Sequence, residues 1–280
     1  MSNRMQRIAV DNEGIVERGS YRAAGEDVGI GGLLDAARRG TVSYTPEALD
    51  ALVAAGAPGP GPAVVEVTGE GSVAAARRLA GGRGRVGVLN FASARNPGGG
   101  YLRGARAQEE DLCRSALLYT CLVEAPDYYA AHRASADLRY SHRVIVSPDV
   151  PVIRDDGGEL TRPWPVTFLT SPAPNAGELR KREDAVDVRE VLAERALRVL
   201  AVAARHEVRE LVLGAWGCGV FANDPAEVAE AFAAGLRRYG AAFDRVVFAV
   251  WDRRTPSPNR AAFGARFGQA GGGARWVAPA

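Results

Sequence analysis

The side chains best suited to acid–base chemistry sit in one short stretch. Gln108, Glu109 and Glu110 follow the glycine triplet Gly98, Gly99, Gly100 after seven intervening residues. Three successive glycines behind Pro97 give a backbone that another molecule can approach closely, and a carboxyl group can donate or accept a proton. Acidic residues in the first turn of a helix also offset its dipole. Locally, helix energetics alone would account for Glu109, Glu110 and Asp111. A second stretch runs Gly214, Ala215, Trp216, Gly217, Cys218, Gly219, Val220, Phe221 and reaches Asn223, Asp224 and Pro225, where a helix is expected to start with Asn223 or Asp224 as its cap. Glycines that turn N–H groups toward one point, beside a helix N-terminus, make a cradle for a diphosphate. A tight strand-to-helix turn is the plainer alternative. The loop is not a P-loop, since no Gly-Lys pair occurs in the chain.

Other chemistries find less support. Cys218 could be a nucleophile in a glycine loop before a helix, but no histidine lies in a comparable loop to serve as its base, so a spectator thiol is expected. Cys113, Cys121 and Cys218 share no metal-ligand spacing, and His132, His142 and His206 are scattered. No metal site and no cofactor are expected. The formal net charge is only +2, so direct nucleic-acid binding is not expected. Lys181 is the sole lysine, so the basic charge is nearly all arginine, a residue whose planar fork suits phosphates. The first ten residues do not read as a signal peptide, and no run approaches the roughly 20 apolar residues of a membrane span. A cytoplasmic monomer is the expectation.

The elements that must position these loops follow from periodicity. Residues 1–62 mix short helical stretches with glycine turns and end in a Pro/Gly run, which reads as an N-terminal helical cap and linker packed on the core. Residues 63–270 form the core and 271–280 a tail, with Trp276 as a possible anchor. Strands are expected at 63–68, 85–90, 143–147, 166–170, 210–213 and 245–251. Helices are expected at 72–79, 108–123, 184–206, 225–239 and 257–267. Alternating strands and helices imply an α/β fold with a mostly parallel sheet covered on both faces. Ligands of such sheets bind at the carboxyl ends of the strands, where both loops emerge.

The glycine triplet with Gln108, Glu109 and Glu110 resembles the signature of the poly(ADP-ribose) glycohydrolases, and residues 214–221 resemble the phosphate loop of macrodomains. Their order along the chain agrees, and residues 64–250 look like the smaller bacterial type of that family. The resemblance implies a macrodomain-like three-layer α/β/α sandwich with an N-terminal helical extension, and ADP-ribose and poly(ADP-ribose) on modified proteins as ligands. It implies hydrolysis of the ribose–ribose bond from the chain end. A non-catalytic ADP-ribose reader is the alternative; retention of both Glu109 and Glu110 argues against it, since burying two carboxylates together is costly.

Adjacent helical residues point about 100° apart, so the two glutamates cannot flank one glycosidic bond as in ordinary glycosidases. By resemblance Glu110 performs both proton transfers and Glu109 orients the ribose. Gly217, Cys218, Gly219 and Val220 would surround the diphosphate, and Phe221 would face the distal ribose. Asn90, Asn96, Gln108 and the triplet Gly98, Gly99, Gly100 would also contact substrate, with Thr68 and Glu66 near the adenine.

Overall fold

The computed structural model describes residues 4–59, 64–82, 84–182 and 187–268. The end of the expected linker, the start of the expected 184–206 helix, and the 271–280 tail with Trp276 lie outside the described residues. A hairpin of β1 (Ser20–Ala23) and β2 (Glu26–Gly29) stands apart from one seven-stranded sheet. That sheet contains β3 (Val42–Tyr44), β4 (Val64–Thr68), β5 (Arg85–Phe91), β6 (Val144–Arg154), β7 (Leu160–Ser171), β8 (Val208–Leu213) and β9 (Arg245–Ala249). Its order is β3-β6-β7-β5-β8-β9-β4. From β7 to β4 every pairing is parallel, whereas β3, β6 and β7 pair antiparallel.

Alternation along the strands divides the core between the two faces. In β8, Leu211 and Leu213 join one cluster and Val212 the other; in β9, Val246 and Phe248 oppose Val247 in the same way. Helices Val188–Arg205, Pro225–Tyr239 and Pro258–Phe267 cover the first face. Helices Ser72–Leu79, Gln108–Ser115, Leu118–Leu122 and Pro126–Arg133 cover the second. This is the three-layer, mostly parallel α/β architecture expected. β5 is central, and Val86 through Asn90 are buried on both faces.

The structure differs from the sequence reading in three places. Residues 4–59 contribute the β1–β2 hairpin and the edge strand β3 besides helices Arg4–Arg18, Gly31–Gly40 and Pro46–Ala54. β6 and β7 run well beyond the five-residue strands expected, and the β6 pairing shifts register around Pro148 and Asp149, where a bulge accommodates the missing N–H. The expected 108–123 helix breaks at Ala116, which adopts extended backbone and bridges Val152.

Candidate active site

β5 and β8 are neighbours and parallel, so the loops that leave their carboxyl ends, residues 92–107 and 214–224, emerge side by side. Helix Gln108–Ser115 returns beneath the first loop and is fixed at both ends. At its start, Gln108 Oε1 accepts from Phe91 N (2.8 Å), while its Nε2 donates to Leu89 O (2.8 Å) and Ser72 Oγ (3.1 Å). The amide of Gln108 is thereby committed within the chain and clips the helix to β5. At its end, Asn12 of helix Arg4–Arg18, fully buried, donates to the carbonyls of Cys113 and Arg114 (3.3 and 2.9 Å). These carbonyls have no intrahelical partner, so Asn12 satisfies what the helix end leaves open.

Glu109 is 3% exposed and Glu110 7%. Glu109 accepts from Asn90 Nδ2 (3.2 Å) and Ser93 N (2.7 Å), one donor per oxygen. Asn90 is itself held by Thr170 Oγ1 (3.2 Å) on β7. Glu110 Oε1 accepts from Gly100 N (2.7 Å), while Glu110 Oε2 is buried and has no partner. Burial pushes the Glu109 carboxyl up to about 8, against the N–H bonds from Ser93 and Asn90, and the neighbouring Glu110 charge adds to the rise. Glu109 therefore keeps its proton at neutral pH.

The glycine triplet lies directly against these carboxylates. Gly98 and Gly99 have φ of +62° and +59°, which side chains rarely adopt. A Cβ on Gly99 would stand 2.5 Å from Glu110 Oε1 and 3.1 Å from Glu109 Oε2; one on Gly100 would stand 2.6 Å from Ala105 Cβ. Asn96 is exposed, and its backbone carbonyl accepts the Gly99 N–H (3.0 Å) that closes the turn.

The second loop is tied down from the side of residues 171–175. Trp216, fully buried, donates from Nε1 to Ser171 O (3.1 Å), and Asn223 Nδ2 donates to Pro174 O (2.8 Å) and Gly217 O (3.1 Å). Asp224 accepts from Ala226 N (2.7 Å) and is the cap of helix Pro225–Tyr239. Among the described residues, the N–H groups of Gly219, Val220 and Phe221 donate to no acceptor within the chain, as an anion cradle requires. Gly217 has φ +72°, and a Cβ there would collide with Ala173 Cβ at 2.4 Å. Gly219 has no such constraint: an added Cβ meets nothing within 4 Å. Val220 is 90% exposed, and Phe221 packs its ring 6.0 Å from that of Tyr140. Burial pushes the Cys218 thiol up to about 12, which removes the thiolate a nucleophile needs.

The structure thus brings together Asn90, the triplet, Gln108, Glu109 and Glu110, and sets the loop 217–221 beyond the end of the neighbouring strand β8. Glu66 instead forms ion pairs with Arg78 (2.9 Å) and Arg245 (2.8 Å). Thr68 closes β4 with an unpartnered hydroxyl. The family resemblance puts Asn90, Phe91, Ala92 and Ser93 at a ribose-contacting turn; the sequence reading missed that the Ser93 N–H holds Glu109 and that Thr170 stands behind Asn90. Backbone donors carry no side-chain signature, so only the register of β5 against the following helix could have exposed the first. Among the described residues no group of three or more His, Cys, Asp or Glu could hold a metal ion.

Comparison with known proteins gives one consistent result. The family model "Microbial-type PARG, catalytic domain" matches residues 9–155. The crystal structure of poly(ADP-ribose) glycohydrolase from Thermomonospora curvata superposes with a TM-score of 0.89 at 48% identity, over 94% of this chain and 99% of that one. The same enzyme bound to the inhibitor ADP-HPD gives 0.87 at 47%, over the same shares. The Deinococcus radiodurans enzyme in complex with ADP-ribose gives 0.77 at 44%, over 88% of this chain and 98% of that one. No curated protein matches.

Proposed function

The chain belongs to the microbial-type poly(ADP-ribose) glycohydrolase (PARG) family, and we propose that it performs that family's hydrolysis with Glu110 as the residue that moves the proton. It is a poly(ADP-ribose) glycohydrolase, a glycoside hydrolase that binds ADP-ribose. The observation that carries the assignment of Glu110 is its bare Oε2, buried beside a second carboxylate while its Oε1 is held by the Gly100 N–H. Every other carboxylate oxygen of the pair has an N–H donor.

In this reading Glu110 Oε2 gives its proton to the departing ribose 2′-oxygen as the C1″–O bond breaks. The ribose passes through an oxocarbenium-like state. Glu110, now ionised, takes a proton from the incoming water, whose oxygen bonds to C1″, and the starting protonation is restored. Glu109, fixed by Asn90 and Ser93, orients the distal ribose. The diphosphate lies on the N–H groups of Gly219, Val220 and Phe221, with the Phe221 ring against the ribose and Cys218 as a small neighbour. Gln108 serves by locking the catalytic helix to β5. A module that only bound ADP-ribose would need neither glutamate, and burying both would cost stability without return.

Cleavage from the chain end, a monomeric state and a cytoplasmic location are part of this proposal. Among the described residues no helix is long and apolar enough to cross a membrane. The test is incubation of the purified chain with poly(ADP-ribose), followed by chromatography of early products. Free ADP-ribose from the first time points is expected. Short oligomers appearing first would overturn cleavage from the end, and intact polymer would overturn the activity.

A further inference from the structure

Arg195, in the middle of helix Val188–Arg205, is fully buried, yet among the described residues no carboxylate lies within ion-pair distance of it. Its partners are backbone carbonyls from two separate segments. Nη1 donates to Pro172 O (2.8 Å), and Nη2 donates to Arg139 O (2.8 Å) and Tyr140 O (3.0 Å). An isolated buried cation is expensive, so its retention calls for a return elsewhere. Burial lowers the guanidinium only to about 10, so it stays charged at neutral pH.

Both segments border the site. Pro172 follows Ser171, whose carbonyl receives Trp216 Nε1, and precedes Ala173, which touches Gly217. The floor of the diphosphate loop is therefore held from beneath by Arg195. Tyr140 sits at φ +58°, a left-handed conformation that a tyrosine keeps only when its surroundings enforce it. The Arg195 fork supplies that enforcement on one side. His132 supplies it on the other, packing edge-on to the Tyr140 ring at 5.9 Å while its Nε2 meets Ser141 Oγ at 2.8 Å. The Tyr140 ring in turn backs Phe221.

We propose that Arg195 is a positioning residue for the substrate: one buried fork fixes both the Tyr140–Phe221 wall and the floor of the diphosphate loop, and so sets the distal ribose and diphosphate relative to Glu110. This rests on the placement of Phe221 and the diphosphate given under the proposed function. A lysine cannot reproduce the planar fork, which bonds two segments at once, but it keeps the positive charge.

The experiment compares Arg195→Gln, Arg195→Lys and Tyr140→Ala in the full chain, reading ADP-ribose Kd by calorimetry, kcat and KM on poly(ADP-ribose), and melting temperature. Arg195→Gln is expected to raise the ADP-ribose Kd at least tenfold, and Arg195→Lys to recover part of that loss. Tyr140→Ala removes a half-buried ring, so it should fold like the parent while raising Kd and KM about three- to tenfold, the range of an aromatic contact. A Tyr140→Ala protein with parental Kd and KM overturns the proposal, even if neither Arg195 variant folds. A folded Arg195→Gln protein that binds ADP-ribose normally also overturns it. A parent that releases no ADP-ribose from polymer defeats the functional reading instead, while the Kd comparison still judges Arg195.

Discussion

Gly99→Ala places one methyl group where the structure has the least room and where the chemistry is concentrated. At φ +59° an alanine costs roughly 1–2 kcal/mol relative to glycine, which in a chain of this size lowers the melting temperature by about 2–8 °C. The steric effect is more telling. The new Cβ would stand 2.5 Å from Glu110 Oε1, so the carboxylate must retreat by about 0.9 Å to reach the 3.4 Å at which ordinary contact begins. That retreat stretches the 2.7 Å bond from Gly100 N and carries Oε2 away from the departing oxygen. Misplacement on the order of 1 Å costs about 10²-fold in rate, or about 2.7 kcal/mol. Turnover of poly(ADP-ribose) should therefore fall about a hundredfold while ADP-ribose affinity, which the proposed function assigns mainly to residues 217–221, falls much less. Initial rates of ADP-ribose release, with calorimetry on the same preparation, make the comparison. A folded Gly99→Ala protein that turns over within threefold of the parent would refute the idea that the triplet exists to approach the carboxylates.

Gly219→Val should leave the melting temperature unchanged, because the chain itself leaves the space open, yet weaken ADP-ribose binding at least tenfold, about 1.4 kcal/mol, as measured by calorimetry; unchanged affinity would remove the diphosphate from this loop. Between the ordinary value of 4.5 and about 8, the unfolded chain has released the Glu109 proton while the folded chain holds it, so this group's contribution to stability is present at low pH and lost as pH rises through that window. Glu109→Gln removes the titration, so its melting temperature should decline less than the parent's between about pH 5 and pH 9 in scanning calorimetry; parallel curves would contradict the raised value. Cys218→Ala should keep most of the activity, and thiol alkylation should be slow at neutral pH, since burial holds the thiol near 12; an inactive but folded variant would reopen a role for the cysteine.

Both site loops were legible in the sequence because each compresses its chemistry into a few consecutive residues, the triplet with Glu109 and Glu110, and the glycines around Trp216. The alternating apolar strands were legible as well, and they fix the three-layer sheet. Long-range pairing was hidden. Pro148, Pro151, Pro163 and Pro165 break the alternation that would have revealed the full β6–β7 hairpin, and β3 has three residues, too few to show a period. The helix break at Ala116 is imposed by pairing with Val152, a tertiary contact that overrides good local helix formers. The sequence places Arg195 only within the expected 184–206 helix, and its burial and its bonds to the carbonyls of residues 139, 140 and 172 emerge from the tertiary fold. For Gln108 the resemblance implies substrate contact, and the fold adds what the sequence hides, the bonds of its amide to Phe91, Leu89 and Ser72.

In the proposed mechanism one oxygen, Glu110 Oε2, moves the proton in both halves of the reaction. Glu110→Gln keeps the side-chain size and the bond from Gly100 N but cannot give and recover a proton. Single-turnover hydrolysis of poly(ADP-ribose), with ADP-ribose affinity measured on the same protein, separates proton transfer from binding. A loss of about 10⁴-fold in rate with near-parental affinity is the expected result, and a variant that hydrolyses polymer within tenfold of the parent would contradict it.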